Sequence, residues 1–320
     1  MTIFDELNFT NIDLGDIQSI EEMTVVPILG RDRTERISHP DELKFSKTST
    51  YGSMVWTNES EKDPAIIPSN IMIRGTGAQD HAMSVPGIVA KKSTTSFDEA
   101  CCIEETQGGT LNDKNNQVDI LPIGLRKILL KKEIRTQKEY SKLWRYISNW
   151  LKGIPNVESH KAHLRYFYDQ PDYKKILEEN AMHFEPVKHQ IGALIMFGGN
   201  PVGIEIMPTN AHWNHYWKYL VRGCYGAELL RLKLLGKINS DSLAIPDLPV
   251  GSPEQVESFI DAFMFDLRNN ILPILDTIKV DKVVKVGAHS TLNTGMVQTT
   301  AGGGDIIFEG HHPIYLSLVI

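Results

Sequence analysis

The chain has 320 residues, of which 41% are hydrophobic, 23% charged and 8% aromatic. That length suffices for one large or two ordinary domains with a real core, and the composition excludes a disulfide-stapled mini-protein, a disordered chain and a fibre. Its 33 basic and 40 acidic residues give a net charge of −7, which favours solubility and excludes a surface coated throughout in nucleic acid.

Residues 1–22 form an acidic segment, with no Lys or Arg before Arg31, the opposite of a secretory leader. The apolar runs, such as Ile191 to Phe197, fall far short of the ~20 residues that cross a bilayer. No membrane partner is expected. Cys101, Cys102 and Cys224 form neither a disulfide framework nor a metal knuckle, so a reducing cytoplasm is the expected location.

From residue 23 to 123 short apolar runs alternate with Gly, Pro, Asn and Asp clusters. The pattern predicts strands at Thr24 to Leu29, Tyr51 to Thr57, Ile66 to Arg74, Gly87 to Lys91 and Ser96 to Ile103, a helical turn at Pro40 to Leu43, and a loop from Thr106 to Asn116. After Gly124, Thr136 and Glu139 fit a capping box for a helix that carries Leu143, Trp144, Ile147, Trp150 and Leu151 and stops at Gly153 and Pro155. Another helix is predicted from Pro171.

Gly198, Gly199, Asn200 and Pro201 join two apolar runs into a hairpin, and Asn210 is placed to cap the next helix, which ends at Gly236. Ser252 and Gln255 open a further helix with Val256, Phe259, Ile260, Phe263, Leu267 and Ile271 on one face. Strands return around Lys282 to Val286, Asp305 to Phe308 and Ile314 to Val319.

Two segments carry chemistry. In the first, Gly75 and Gly77 permit a tight turn, and Gln79, Asp80 and His81 set an amide, a carboxylate and an imidazole on consecutive residues, followed by the Cys101 to Glu105 run CCIEE. Asp80, His81 and Glu104 are the acid/base candidates, with Gly75, Gly77 and Gln79 as ligand-binding residues; the alternative is a solvated Gly-rich turn. Strand alternation sends one of Cys101 and Cys102 inward and the other outward. The second segment, residues 125–165, holds eleven Lys and Arg against three acids. Arg126, Lys127, Lys131, Lys132 and Arg135 are its phosphate-contacting candidates, and the window could meet nucleic acid or simply be a solvated face. His160 with His163 and His212 with His215 are i, i+3 pairs that lack a third local ligand. No metal and no cofactor are expected.

The ordered segments GTGAQDHAMSVPGIVAKKST, CCIEE, LPIGLRK, QKEYSKLWRYI, HQIGALIMFGGNPVGIEIM, HWNHYWKYLVRGCYGAEL and HPIYLSL resemble the family named for its ARG and Rhodanese-Phosphatase-superfamily-associated Protein domain. Gln79 and Asp80 match the family's turn, while Gly77 and Ala78 stand where Lys is common and His81 where Arg is common. The resemblance implies association with ADP-ribosylglycohydrolase and phosphatase partners, and so with nucleotide, ADP-ribose or nucleic-acid repair and conflict systems.

The expected fold is α+β: an N-terminal β-rich half (23–123), sandwich- or barrel-like, packed with a second half (124–320) that contains helices and a β-hairpin, with C-terminal strands completing a sheet. The two halves are expected to interleave in one globular unit. The expected function is that of an intracellular binding or regulatory protein for a nucleotide-like small molecule or a nucleic-acid system. A hydrolase or transferase on such a ligand is one alternative, and a self-assembling, homo-oligomeric structural protein of a mobile element is another.

Overall fold

A computed structural model describes residues 2–49, 52–75, 78–105, 108–114, 116–238, 273–289 and 291–320, with Ser252, Gln255, Ser258, Ala262 and Ile271. Short α1 (Ile3–Glu6) precedes β1 (Ile12–Leu14), β2 (Gln18–Ile20) and β3 (Met23–Gly30). The next stretch is all strand apart from a 3-10 turn at Pro40–Glu42: β4 (Leu43–Thr48), β5 (Met54–Asn58), β6 (Ala65–Ile67), β7 (Ile71–Gly75), β8 (His81–Met83), β9 (Gly87–Val89), β10 (Ser93–Phe97), β11 (Ala100–Cys102) and β12 (Asn116–Ile120). Helices α2 (Ile123–Leu129), α3 (Lys132–Arg135), α4 (Tyr140–Leu151), α5 (Arg165–Tyr168) and α6 (Pro171–Met182) follow. Hairpin β13 (Gln190–Phe197) and β14 (Asn200–Ile206) leads to α7 (Asn210–Tyr219), a π-helical segment at Leu220–Gly226 and α8 (Ala227–Leu234). Strands β15 (Val280–His289), β16 (Leu292–Thr299), β17 (Gly303–Glu309) and β18 (His312–Val319) close the chain.

One antiparallel sheet runs β1-β3-β13-β14-β18-β17-β16-β15, with β2 also on β3. It takes strands from the start, middle and end of the chain, so the C-terminal strands do complete a sheet and the architecture is α+β. Both faces of its centre are buried: on β13, Ala193, Ile195 and Phe197 enter one core cluster, while Ile191, Leu194 and Met196 enter another. That is why the strand reads as an unbroken apolar run instead of an alternating one. Gly198 and Gly199, at φ +52° and +78°, make the two-residue turn that pairs Phe197 with Asn200. A smaller sheet, β11-β8-β7-β12, has Ile71 and Ile73 in the first cluster, while Met72, Ala82 and Cys101 pack with α2, α4 and α6.

Several boundaries differ from expectation for identifiable reasons. The run Ile66 to Arg74 is two strands, because Asn70 turns the backbone at φ +61°. Thr136 ends α3 instead of opening α4; Lys138 at φ +54° breaks the helical path, and Glu139 pairs with Lys142. Thr209, whose hydroxyl accepts from His212 N–H, caps α7 in place of Asn210. Cys101 and Cys102 are both buried, since β11 is covered on both faces. Of the Ser252 helix, Ser252 N–H donates to Gln255 Oε1 at 3.0 Å, whereas Val256, Phe259, Ile260, Phe263 and Leu267 lie outside the described residues, as does Gly77. Among the described residues no helix is long and apolar enough to cross a membrane.

Candidate functional site

Strand register brings the first segment together. His81 on β8 pairs with both Ile73 on β7 and Cys102 on β11. Residues two before His81 and two after Cys102 must then meet in the antiparallel ladder. They do: Gln79 Nε2 donates to Glu104 O at 3.2 Å, Ile103 N–H to Asp80 O at 2.9 Å, and Asp80 N–H to the Glu104 carboxylate, at Oε2, at 3.0 Å. Gly75 N–H donates to Asp80 Oδ1 at 3.1 Å. A side chain at Gly75 would collide with Leu111 Cδ2 and with Asn116, whose Oδ1 would stand 2.6 Å from its Cβ.

Two residues from the basic window complete the cluster. Arg165, at the start of α5, grips Asp80 with Nη2 2.7 Å from Oδ1 and Nε 3.0 Å from Oδ2, while Nη2 also reaches Ala78 O at 2.7 Å and Glu104 Oε2 at 3.2 Å. His163 places Nδ1 2.7 Å from Glu104 Oε1. Asp80 and Glu104 side chains are sealed at 2% and 1% exposure, whereas Arg165 and His163 keep 20% and 12%. The carboxylates therefore form the floor and the two cationic or basic groups the mouth. Residues 11–271 match the ARG and Rhodanese-Phosphatase-superfamily-associated Protein domain. The chain belongs to that family. The match stops short of β15 to β18, the HPIYLSL segment included. No curated protein and no solved structure matches the chain.

In this family member the imidazole facing Glu104 is His163 and not His81. His81 is buried, has Nδ1 2.9 Å from Gln79 O, and leaves Nε2 without a partner among the described residues. Burial lowers its pKa and keeps it neutral. Burial also pushes Glu104 up to about 7, with the nearby Asp80 charge adding to the rise. Asp80 is raised by burial against the pull of Arg165. His163 is lowered, first by burial and then by the Arg165 charge. Two carboxylates thus share one guanidinium, and such crowding pushes one of them toward a neutral form. The cysteines do not join this chemistry: Cys102 is sealed, donates to Glu104 O, and is pushed up to about 11 by burial.

The phosphate-contacting candidates divide. Arg126 is a correction: it is buried with Nη1 2.6 Å from Glu205 Oε1 and Nε 3.2 Å from Asn70 Oδ1, so no phosphate reaches it. Arg135 is likewise turned inward, with Nη2 2.8 Å from both Asp305 oxygens and from Ser84 O. Lys127, Lys131 and Lys132 are exposed and line a groove of about 510 Å³ beside Gly302, Gly303 and Gly304. Among the described residues neither His-x-x-His pair converges on a third ligand; His212 bonds Thr209, and His215 stands 3.0 Å from Asp41. Arg165 and His163 escaped the sequence reading because about 60 residues separate them from Glu104. The local signals were the pairing of His163 with His160 at i, i+3 spacing and the place of both residues in a basic window that otherwise looked like a surface.

Proposed function

We propose that this family member is a hydrolase or transferase that acts by acid–base chemistry on a nucleotide-like small molecule held at the Asp80, Glu104, His163 and Arg165 cluster. The observation that carries this reading is the buried Glu104 carboxylate behind the more exposed His163. A carboxylate beside one ring nitrogen orients an imidazole for proton exchange with a ligand. In that arrangement His163 is the residue that touches ligand. Glu104 positions it, Asp80 holds Arg165, and the Asp80 amide and Arg165 hold Glu104.

The lowered His163 pKa supports a base that is unprotonated at neutral pH. The ligand class is supported by the family resemblance. Turnover of nucleoside mono- and diphosphates and of ADP-ribose tests the reading. We expect His163→Ala to lower kcat about 10²- to 10⁴-fold, with little loss of folding stability. Binding of these compounds with no turnover would reduce the site to the binding or regulatory role. Turnover that survives His163→Ala would remove His163 from the chemistry.

A further inference from the structure

The opposite side of β7 carries a second feature. Leu43 and Phe45 of β4, Trp56 of β5, Ile71 and Ile73 of β7 and Tyr216 and Tyr219 of α7 line a cleft of about 840 Å³, within the range that holds a small ligand. Phe45 and Trp56 meet edge to face at 5.5 Å and 73°. Trp56 is 96% buried at 4% exposure, yet its indole N–H has no acceptor among the described residues. A buried donor left unpaired is destabilising, so an acceptor supplied from outside the chain would relieve that penalty. Asn116, whose Nδ2 donates to Asn112 O, adds its amide oxygen to the lining as an acceptor.

From these features we infer that the cleft is a binding site for a planar heteroaromatic ring of the nucleobase kind. Aromatic walls offer faces for stacking, and an indole N–H with an amide can read a ring edge that bears acceptor and donor groups together. The titratable side chains at the cleft besides its tyrosines are Lys44, Glu59, Asp113 and His215, with no surplus of cations to draw phosphate in. A nucleotide would therefore enter base first. Tyr219 also stands at the N-terminal end of the π-helical segment Leu220–Gly226, and such segments are frequent at functional sites.

The cleft lies next to the acid–base cluster along the chain itself. Asn116, in its lining, pairs with Gly75, whose N–H holds Asp80. From Ile73 in the lining to Gly75 is two strand residues, about 7 Å, close to the span of a ribose. The inference takes its ligand class from the proposed function but rests on different residues.

Isothermal titration of the full chain with adenosine, guanosine, cytidine and uridine tests it, with ribose 5-phosphate as the ring-free control. We expect at least one nucleoside to bind and ribose 5-phosphate not to compete. Tyr219→Ala, at a half-buried position, should weaken binding tenfold or more, and Trp56→Phe, which keeps a ring but loses the N–H, about threefold to tenfold. Absence of binding by all four nucleosides, or affinity indifferent to both Tyr219→Ala and Trp56→Phe, would overturn the inference. Nucleoside binding without turnover of any nucleotide leaves the cleft standing and removes the acid–base reading. Turnover that persists in Tyr219→Ala at unchanged KM does the reverse.

Discussion

Two buried arginine–carboxylate clusters in this protein have opposite balances. Around Arg126 one guanidinium meets one carboxylate, both side chains 1% exposed, and the rest of the shell is filled: Asn70, Cys224 and Ser317 accept from Arg126, and Tyr225 O–H donates to Glu205 at 2.7 Å. It ties α2 to β14, β18 and the π-helical segment. Around Arg165 one guanidinium serves two carboxylates, and the cluster opens to solvent through Arg165 and His163. A balanced, closed cluster has no proton to exchange and serves the fold. An unbalanced one with an imidazole at its mouth holds a carboxyl that titrates near neutrality. Charge balance and access, more than burial, separate the two.

The sharpest way to break the comparison is to remove one partner from the balanced cluster. Arg126→Met leaves Glu205 buried without its cation and should cost about 3–5 kcal/mol of stability, read by urea unfolding. Adding Glu205→Leu should recover part of that loss. A cost as small as that of an exposed substitution would show the Arg126 cluster to be no more structural than the other.

Glu104→Gln should behave in the opposite way. Glu104 holds its proton more tightly in the fold than the ordinary carboxyl value of 4.5, with a folded pKa of about 7. The folded state therefore binds more protons than the unfolded state between those values, and this group's contribution to stability is full below pH 4.5 and lost as pH rises to about 7. Gln mimics the protonated form. Glu104→Gln should match the wild type near pH 4.5, equal or exceed its stability above pH 7, and still lose function. Melting curves from pH 4 to 8 on both proteins isolate the difference; parallel profiles would show that Glu104 does not titrate there.

The smallest effect on stability is expected at the surface. Replacing Lys127, Lys131 and Lys132 by Ala should change stability by no more than about 0.5 kcal/mol per site, because none has an ion-pair partner among the described residues. Affinity of the wild type for a single-stranded RNA should fall with salt, and the triple variant should lose that dependence. RNA binding that ignores salt, or no binding, would confine the protein to small molecules.

Local patterns carried much of the fold. The Gly198 and Gly199 hairpin, the turn at Pro40, the helix from Pro171 and three of the four final strands, β16 being the exception, were legible, because turn chemistry and apolar periodicity act over a few residues. The Gln79, Asp80 and Glu104 grouping was legible in part, since β8 and β11 are near in sequence. What misled was charge counting. Arg126, Arg135 and Arg165 belong to one basic window, yet each faces a different acid, Glu205, Asp305 or Asp80, from 79, 170 or 85 residues away.

Composition, turn residues and alternation by themselves determined that the chain is an α+β protein with a Gly-rich polar turn and an uneven charge distribution. Tertiary structure alone decided which charges are spent inside the protein and which are left at its surface. Coulomb pairing and desolvation depend on distance and burial, and neither is written in the spacing of residues along a chain. The basic window, read as one surface, is in fact three inward arginines that hold the fold and the candidate site, and an outward rim of lysines with Arg145.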